Sequence, residues 1–276
     1  MPELPEVETI RRALEPQLAG SVIRVVSVLH PGVIACPDAE AFAARLQGQT
    51  IREIARRGKY FIFCLGSGDR LILHLRMTGG LLIAPEDYPM EKHTHVVFCL
   101  ADGRELRFTD LRRFGRFWLF AAGEEDKSSG LAKLGPEPFD PKIDAEYLKT
   151  KLGTSRRAVK ECLLDQSVIA GIGNIYSDEI LFAARIHPAR LACDLREEEW
   201  QRLARCIPEV MGYFLEKNLV TPDEYWQDRD KDYRNTPYLR VYGRAGQPCT
   251  ICRGSLLRTR IGGRSSVYCP LCQSTE

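Results

Sequence analysis

The chain has 276 residues, 44% of them hydrophobic, and a formal net charge of only +2 at pH 7. That length and apolar content suffice for two domains with real cores and exclude a largely disordered polymer. No uncharged apolar run reaches the length of about eighteen residues needed to cross a bilayer, and the opening MPELPEVETI carries acids where a secretory leader carries basic and then apolar residues, so a cytoplasmic protein without a membrane partner is expected.

The first predicted element is a helix. Val7, Ile10, Leu14 and Leu18 recur at helical spacing, Pro5 suits the first turn, Pro16 kinks or shortens the last, and Gly20 stops it. Short β-like runs follow at 21–29, 60–65, 71–76, 95–100, 104–109 and 117–120, separated by Gly, Asp and Pro turn residues. A short helix opened by Asp38 and closed by Gly48 interrupts them. Many short strands with turn signals imply a β-sandwich or barrel-like first domain. Residues 121–141 lose the pattern; AAGEEDKSSG followed by GPEPFDP reads as a linker. Beyond it the period is helical. Segments 156–164 and 176–186 read as short helices joined by QSVIAGIGN, a helix-turn-helix-like arrangement. Asp194 and Glu197 predict a capping box, after which Trp200, Leu203, Ile207, Val210 and Phe214 line one face of a long helix bent at Pro208.

Six of the ten cysteines (Cys36, Cys64, Cys99, Cys162, Cys193 and Cys206) are scattered singly. The other four are paired. Cys249-x2-Cys252, sixteen residues, then Cys269-x2-Cys272 matches the spacing of a four-cysteine zinc site. A closed four-sulfur shell leaves no open coordination position, so one structural zinc is expected, not a catalytic one. Between the pairs, 255–261 and 265–268 read as hairpin strands around Gly262-Gly263, with Arg264 at or near the tip. From Arg234 onward seven arginines stand against one acid, Glu276. Such a segment reads either as a face for a polyanion or as a solvated charged tail.

At the other end, removal of Met1 would leave Pro2 with a free secondary amine. An α-amino group titrates near about 7.7–8.0, and the positive end of the helix that follows pushes that value down. A secondary amine attacking a sugar C1′ becomes an iminium, which is Schiff-base chemistry, and Glu3 and Glu6 supply carboxylates for proton transfer. Taken alone, the same residues are an ordinary helix start.

They do not occur alone. MPELPEVETIRR, RRGKYFIF, LHLRMTGG, DLRRFGRF, LLDQSVIAGIGNIYSDEILF and the terminal four-cysteine finger follow one another along nearly the whole chain. In this the chain resembles the formamidopyrimidine-DNA glycosylases. The resemblance implies an α+β fold: an N-terminal β-sandwich catalytic domain over 1–130, a helix–two-turn–helix DNA-binding domain over 131–222 and a zinc-finger β-hairpin over 235–276. It implies a monomeric, bifunctional DNA glycosylase/AP lyase of base excision repair acting on damaged double-stranded DNA. Oxidised purines (8-oxoguanine and formamidopyrimidines) would leave through a Schiff base on Pro2, and the strand would be cut by β,δ-elimination.

By the same resemblance, Glu3 protonates the ribose ring oxygen, Glu6 positions substrate or assists proton transfer, and Lys59 contacts the backbone and assists chemistry. His74, Asn174 and Arg264 look like phosphate contacts. Met77, Arg112 and Phe114 look like the trio that fills the gap left by an extruded base, with Phe114 as wedge and Arg112 on the orphaned cytosine. Two other readings compete: an endonuclease VIII-like enzyme for oxidised pyrimidines, and an inactive damaged-DNA-binding protein. The PELPEVE start and the Arg112/Phe114 pair favour the purine branch. One segment departs from the family, whose base-covering loop is usually rich in Gly and small polar residues. Here residues 223–234 carry five acids and three bases, with Tyr225, Trp226 and Tyr233 able to stack on a base or to anchor the loop.

Overall fold

A computed structural model of the chain describes residues 2–126, 128–227 and 236–274. It divides into two compact units, Met1–Ala132 with Leu219–Lys231, and Lys133–Asn218 with Asp232–Glu276.

The first unit opens with helix α1 (Leu4–Leu18) and continues through β1 (Ile23–Val28), β2 (Ile34–Cys36), α2 (Ala39–Leu46), β3 (Ile51–Arg57), β4 (Tyr60–Leu65), β5 (Arg70–His74), β6 (Gly79–Pro85), β7 (Thr94–Leu100), β8 (Arg104–Asp110) and β9 (Arg116–Phe120). The strands form a four-stranded sheet, β1-β7-β8-β6, and a five-stranded sheet, β2-β9-β5-β4-β3. Ile23, Val26, Leu81, Ile83, Val96, Phe98, Leu106 and Phe108 from one sheet share a core with Ile54, Phe61, Phe63, Leu71, Leu73, Phe117 and Leu119 from the other. This is a β-sandwich, as expected, and β5, β7, β8 and β9 are buried along nearly their whole length. The chain passes from one sheet to the other at residues 75–78, between β5 and β6, and at 111–115, between β8 and β9. Because β5 pairs with β9 and β6 with β8, those two corners lie side by side.

Helix α1 runs as predicted to Leu18 and keeps Pro16 inside its last turn. Three strands, β2, β3 and β6, carry no signal in the sequence, β2 because it spans only three residues. In IREIARR (β3) only Ile51 and Ile54 are buried hydrophobic residues, and GGLLIAP (β6) begins and ends with residues that ordinarily interrupt strands.

The second unit contains α3 (Ala145–Leu152), α4 (Val159–Leu163), α5 (Asn174–Ala183), α6 (Glu197–Lys217) and a hairpin of β10 (Leu257–Ile261) and β11 (Arg264–Tyr268). Pro208 lies within α6. The predicted capping box is displaced. Asp194 ends a 3-10 turn, and the helix is capped where the Arg196 N–H donates to Glu199 Oε2 at 2.8 Å. The segment 223–234 is not a loop throughout, because Pro222–Gln227 form a last helix, α7, which belongs with the first unit. There Tyr225 packs on the sandwich core and its hydroxyl donates to the Leu81 carbonyl at 2.6 Å, while the Trp226 ring meets Tyr88 edge-on at 5.2 Å. Both aromatic residues anchor the segment to the protein. Tyr233, Arg229, Lys231 and Arg234 lie outside the described residues.

An ion pair sits inside the second unit. Lys160 Nζ lies 2.7 Å from Asp178 Oδ1 with both side chains fully buried, and it also donates to the Ser265 carbonyl at 3.0 Å. Asp178 accepts further from Ser266 Oγ at 2.6 Å and from the Val267 N–H at 2.9 Å, which ties α4 and α5 to β11. Asp178→Ala, which strands a buried ammonium, is expected to lower unfolding stability by roughly 3–5 kcal/mol. A denaturant melt with a loss below about 1 kcal/mol, the scale of an exposed pair, would contradict this.

Candidate active site and metal centre

Pro2 and Glu3 lead into α1 and are buried, and Glu3 and Glu6 are each 1% exposed. Glu3 is the N-cap of α1: its carbonyl accepts the Val7 N–H at 3.0 Å, and its own N–H donates to Glu6 Oε2 at 2.8 Å. The capping box therefore fixes both carboxylates at the first turn of α1, the end where the helix dipole is positive, with Pro2 the residue before the cap. One turn on, Glu8 binds Arg11, Arg12 and Arg56. Burial pushes its carboxyl up, but the three guanidiniums outweigh this and hold it at about 2. Arg56 continues the chain of contacts to the Gly58 carbonyl at 3.0 Å, and so joins the start of α1 to the tight turn that carries Lys59.

Lys59 is nearly buried between β3 and β4, next to Tyr60, which pairs with His74 on β5. Burial, Arg76 and Lys59 together lower His74 to about 3. The ring is therefore neutral. Its Nδ1 accepts the Arg76 N–H at 2.9 Å, which leaves the proton on Nε2. The ring thus offers a neutral hydrogen-bond donor at Nε2, not a positive charge.

Met77 and the pair Arg112 and Phe114 lie on the two neighbouring sandwich corners. The Arg112 guanidinium sits 4.6 Å from the Phe114 ring centroid, and its Nη1 is 3.1 Å from Met77 Sδ. Met77 and Phe114 are 43% and 45% exposed, although each is in contact with the Arg112 guanidinium. Residues almost forty positions apart in sequence thus form a single projecting cluster.

In the second unit Asn174 is the first residue of α5, and its Oδ1 is buried without a hydrogen-bond partner among the described residues. The preceding turn is shaped by Gln166, which sequence reasoning passed over. Its Oε1 accepts the Gly171 N–H at 2.9 Å and its Nε2 donates to the Leu164 and Ile172 carbonyls. Glu179 was also missed. Its carboxylate accepts the backbone N–H groups of Arg240, Val241 and Tyr242 at 2.9 to 3.0 Å, and burial raises its pKa. The donors that reach Glu179 lie more than sixty positions away and meet it only in the folded chain, whereas Gln166 bonds neighbours within six positions, although nothing in its residue type marks it as the shaper of that turn.

The four cysteines at the end of the chain bring their sulfurs within 4.8 Å of one another. Cys249 and Cys272 are 3.9 Å apart, and Cys252 and Cys269 3.4 Å. Sulfurs bound tetrahedrally to one zinc lie about 3.8 Å apart. Backbone N–H groups of Ile251 and Cys272 point at Cys249 and Cys269 Sγ, as they do around thiolates. The donor set fits one structural zinc. Beyond it, β10 and β11 turn through Gly262 and Gly263, with φ of 53° and 77°. A two-residue hairpin with both central residues left-handed is the geometry glycine tolerates best, and it leaves Arg264 exposed beside the tip.

Family models match in the same order: the formamidopyrimidine-DNA glycosylase N-terminal domain over 1–117, its H2TH domain over 134–222, and the zinc finger found in FPG and IleRS over 246–275. Formamidopyrimidine-DNA glycosylase of Desulforamulus reducens is 43% identical over 277 residues, covering 100% of both chains, and that of Moorella thermoacetica 48% over 260 residues, covering 94% of this chain and 95% of its own. Among solved structures, the Lactococcus lactis enzyme in complex with DNA containing an oxidised pyrimidine superposes with a TM-score of 0.91 at 35% identity. Its complex with Fapy-dG DNA superposes at 0.88 and 34%, and both cover 99% of this chain and 100% of theirs. Sandwich, helical module and four-cysteine hairpin together make this a zinc-containing DNA-repair glycosylase. Among such enzymes, the chain belongs to the formamidopyrimidine-DNA glycosylase family.

Proposed function

We propose that this protein is a cytoplasmic, monomeric DNA glycosylase/AP lyase that removes oxidised purines from double-stranded DNA through a Schiff base on Pro2. The observation that carries this reading is Pro2 directly preceding α1, with Glu3 and Glu6 buried and hydrogen-bonded beside it. Once Met1 is gone, the Pro2 nitrogen attacks C1′ of an extruded nucleotide and the C1′–base bond breaks. Glu3 delivers a proton to the ring oxygen, the sugar opens, and an iminium forms at C1′. Loss of the 2′ proton expels the 3′ phosphate, and a second elimination expels the 5′ phosphate. Lys59 and His74 hold the backbone of the reacting strand. Asn174, at the start of α5, and Arg264, on the zinc hairpin, take other phosphates. Met77, Arg112 and Phe114 fill the gap in the stack. In this division of labour, 1–130 carries the chemistry, while 131–222 and 235–276 grip DNA.

Borohydride reduction tests the chemistry. The wild-type protein should yield a covalent DNA adduct whose mass places the link on Pro2, and Pro2→Gly or a blocked amino terminus should lose the adduct while still binding DNA. Full activity in a protein that retains Met1 would refute the mechanism. A second reading, oxidised pyrimidines as the main substrate, draws on the relative solved with such a lesion. Excision of 8-oxoguanine opposite cytosine should exceed that of thymine glycol, and a strong preference for the glycol would reverse the assignment.

A further inference from the structure

The side chains that fill the stack are carried on two loops, and one buried carboxylate joins them. Asp110, the last residue of β8, is 1% exposed. Its Oδ1 accepts the Thr78 hydroxyl, on the corner that carries Met77, and the Arg112 N–H at 3.1 Å; its Oδ2 accepts the Gly115 N–H at 2.7 Å. The Thr78 oxygen lies 3.2 Å from the same Arg112 N–H, which closes the link between the corners. Asp110 is itself held by the strand opposite: its N–H donates to the His93 carbonyl at 3.0 Å, and its carbonyl is 2.8 Å from His95 Nε2. Gly115 has no room for a side chain, because a Cβ there would meet the Phe108 ring at 2.5 Å and Asp110 Oδ2 at 3.3 Å. The Leu111–Gly115 corner is thus clamped at both ends onto one acid, with Arg112 and Phe114 projecting from between.

We infer that Asp110, through Thr78 and Gly115, is the positioning residue that sets Met77, Arg112 and Phe114 in register for the opposite base and the vacated stack. The inference rests on the void-filling role proposed above for those three side chains. A neutral amide cannot accept all three donors. Asp110→Asn should therefore let the corners move independently, and displacements of about 1 Å at a positioning element cost on the order of 100-fold in rate.

The test compares wild type, Asp110→Asn, Thr78→Val and Arg112→Ala, each checked for thermal midpoint and zinc content. Three substrates are used: duplexes with 8-oxoguanine opposite cytosine and opposite adenine, and a single-stranded abasic oligonucleotide captured with borohydride. A single strand has no opposite base to hold and no stack to fill, so its capture reports the chemistry at Pro2 alone. Asp110→Asn should lower excision opposite cytosine by roughly 10- to 100-fold and bring the cytosine-to-adenine ratio towards one, with single-strand capture within about twofold of wild type. Thr78→Val should shift the ratio in the same direction by a smaller factor. If Arg112→Ala leaves the ratio intact, the void-filling reading fails and this inference with it. If Arg112→Ala collapses the ratio while Asp110→Asn and Thr78→Val preserve it, that reading stands and Asp110 has no positioning role. Equal loss on all three substrates in Asp110→Asn, with Thr78→Val unchanged, makes the carboxylate merely structural and overturns the inference too.

Discussion

Glu3→Gln is expected to lower excision of 8-oxoguanine by about 10²- to 10⁴-fold, the usual contribution of one general acid, while borohydride capture of a preformed abasic site persists. The asymmetry follows from what each substrate requires. Expelling a base from an intact nucleoside needs a proton on the ring oxygen as the bond breaks, and Glu3, the residue that follows Pro2, carries a buried carboxyl. A ring-opened abasic sugar already presents an aldehyde that condenses with an amine without that proton. The substitution is conservative for the fold, since glutamine keeps the backbone carbonyl and N–H that Glu3 contributes to the cap, and its amide oxygen can still accept from the Glu6 N–H in the capping box. Equal loss in both assays would mean that Glu3 serves the amine or the fold, and its assignment as the acid for base departure would be withdrawn.

Stripping the zinc, or replacing Cys269 with Ser, is expected to abolish tight DNA binding and to melt the hairpin. Structural zinc sites contribute roughly 10–16 kcal/mol of binding free energy in small zinc modules. Here Cys249 and Cys269 are fully buried among Phe182, Val241, Leu256 and Val267, so the metal site and the small core around it are one object. Loss of the ion removes the tie between the two CxxC turns and releases Arg264 from its fixed place beside the Gly262-Gly263 turn. Fluorescence anisotropy on an abasic-analogue duplex, with a parallel thermal melt, reads both effects. Unchanged affinity after chelation, with metal content shown to be zero, would remove the hairpin from the binding surface.

Legibility in the sequence followed burial pattern closely. Strands β4, β7, β8 and β9 and helix α1 were readable because each has a full apolar run or stripe facing the core. Strands β3 and β6 were not, since one is mostly charged and the other starts with two glycines and ends in proline. The cap of α6 was misplaced by two residues because Asp194 and Arg196 both precede a glutamate three positions on, and only the backbone decides which one stands at the N-cap. Tyr225 and Trp226 were ambiguous for a related reason. An aromatic side chain can serve a ligand or a core equally well until its partner is known, and here the partners are the Leu81 carbonyl and the Tyr88 ring.

Covalent spacing and local backbone chemistry were sufficient for the four-cysteine zinc site, for the glycine turn beside Arg264, and for an imino acid placed directly before a helix. These depend on residues a few positions apart, whose geometry the chain itself restricts. Folding alone could decide that Met77 meets Arg112, that Asp110 clamps both sandwich corners, and that Asp178 and Glu179, on α5, take donors from β11 and from residues 240–242. A buried carboxylate takes its meaning from the donors that reach it, and in this protein most of those donors come from distant parts of the chain.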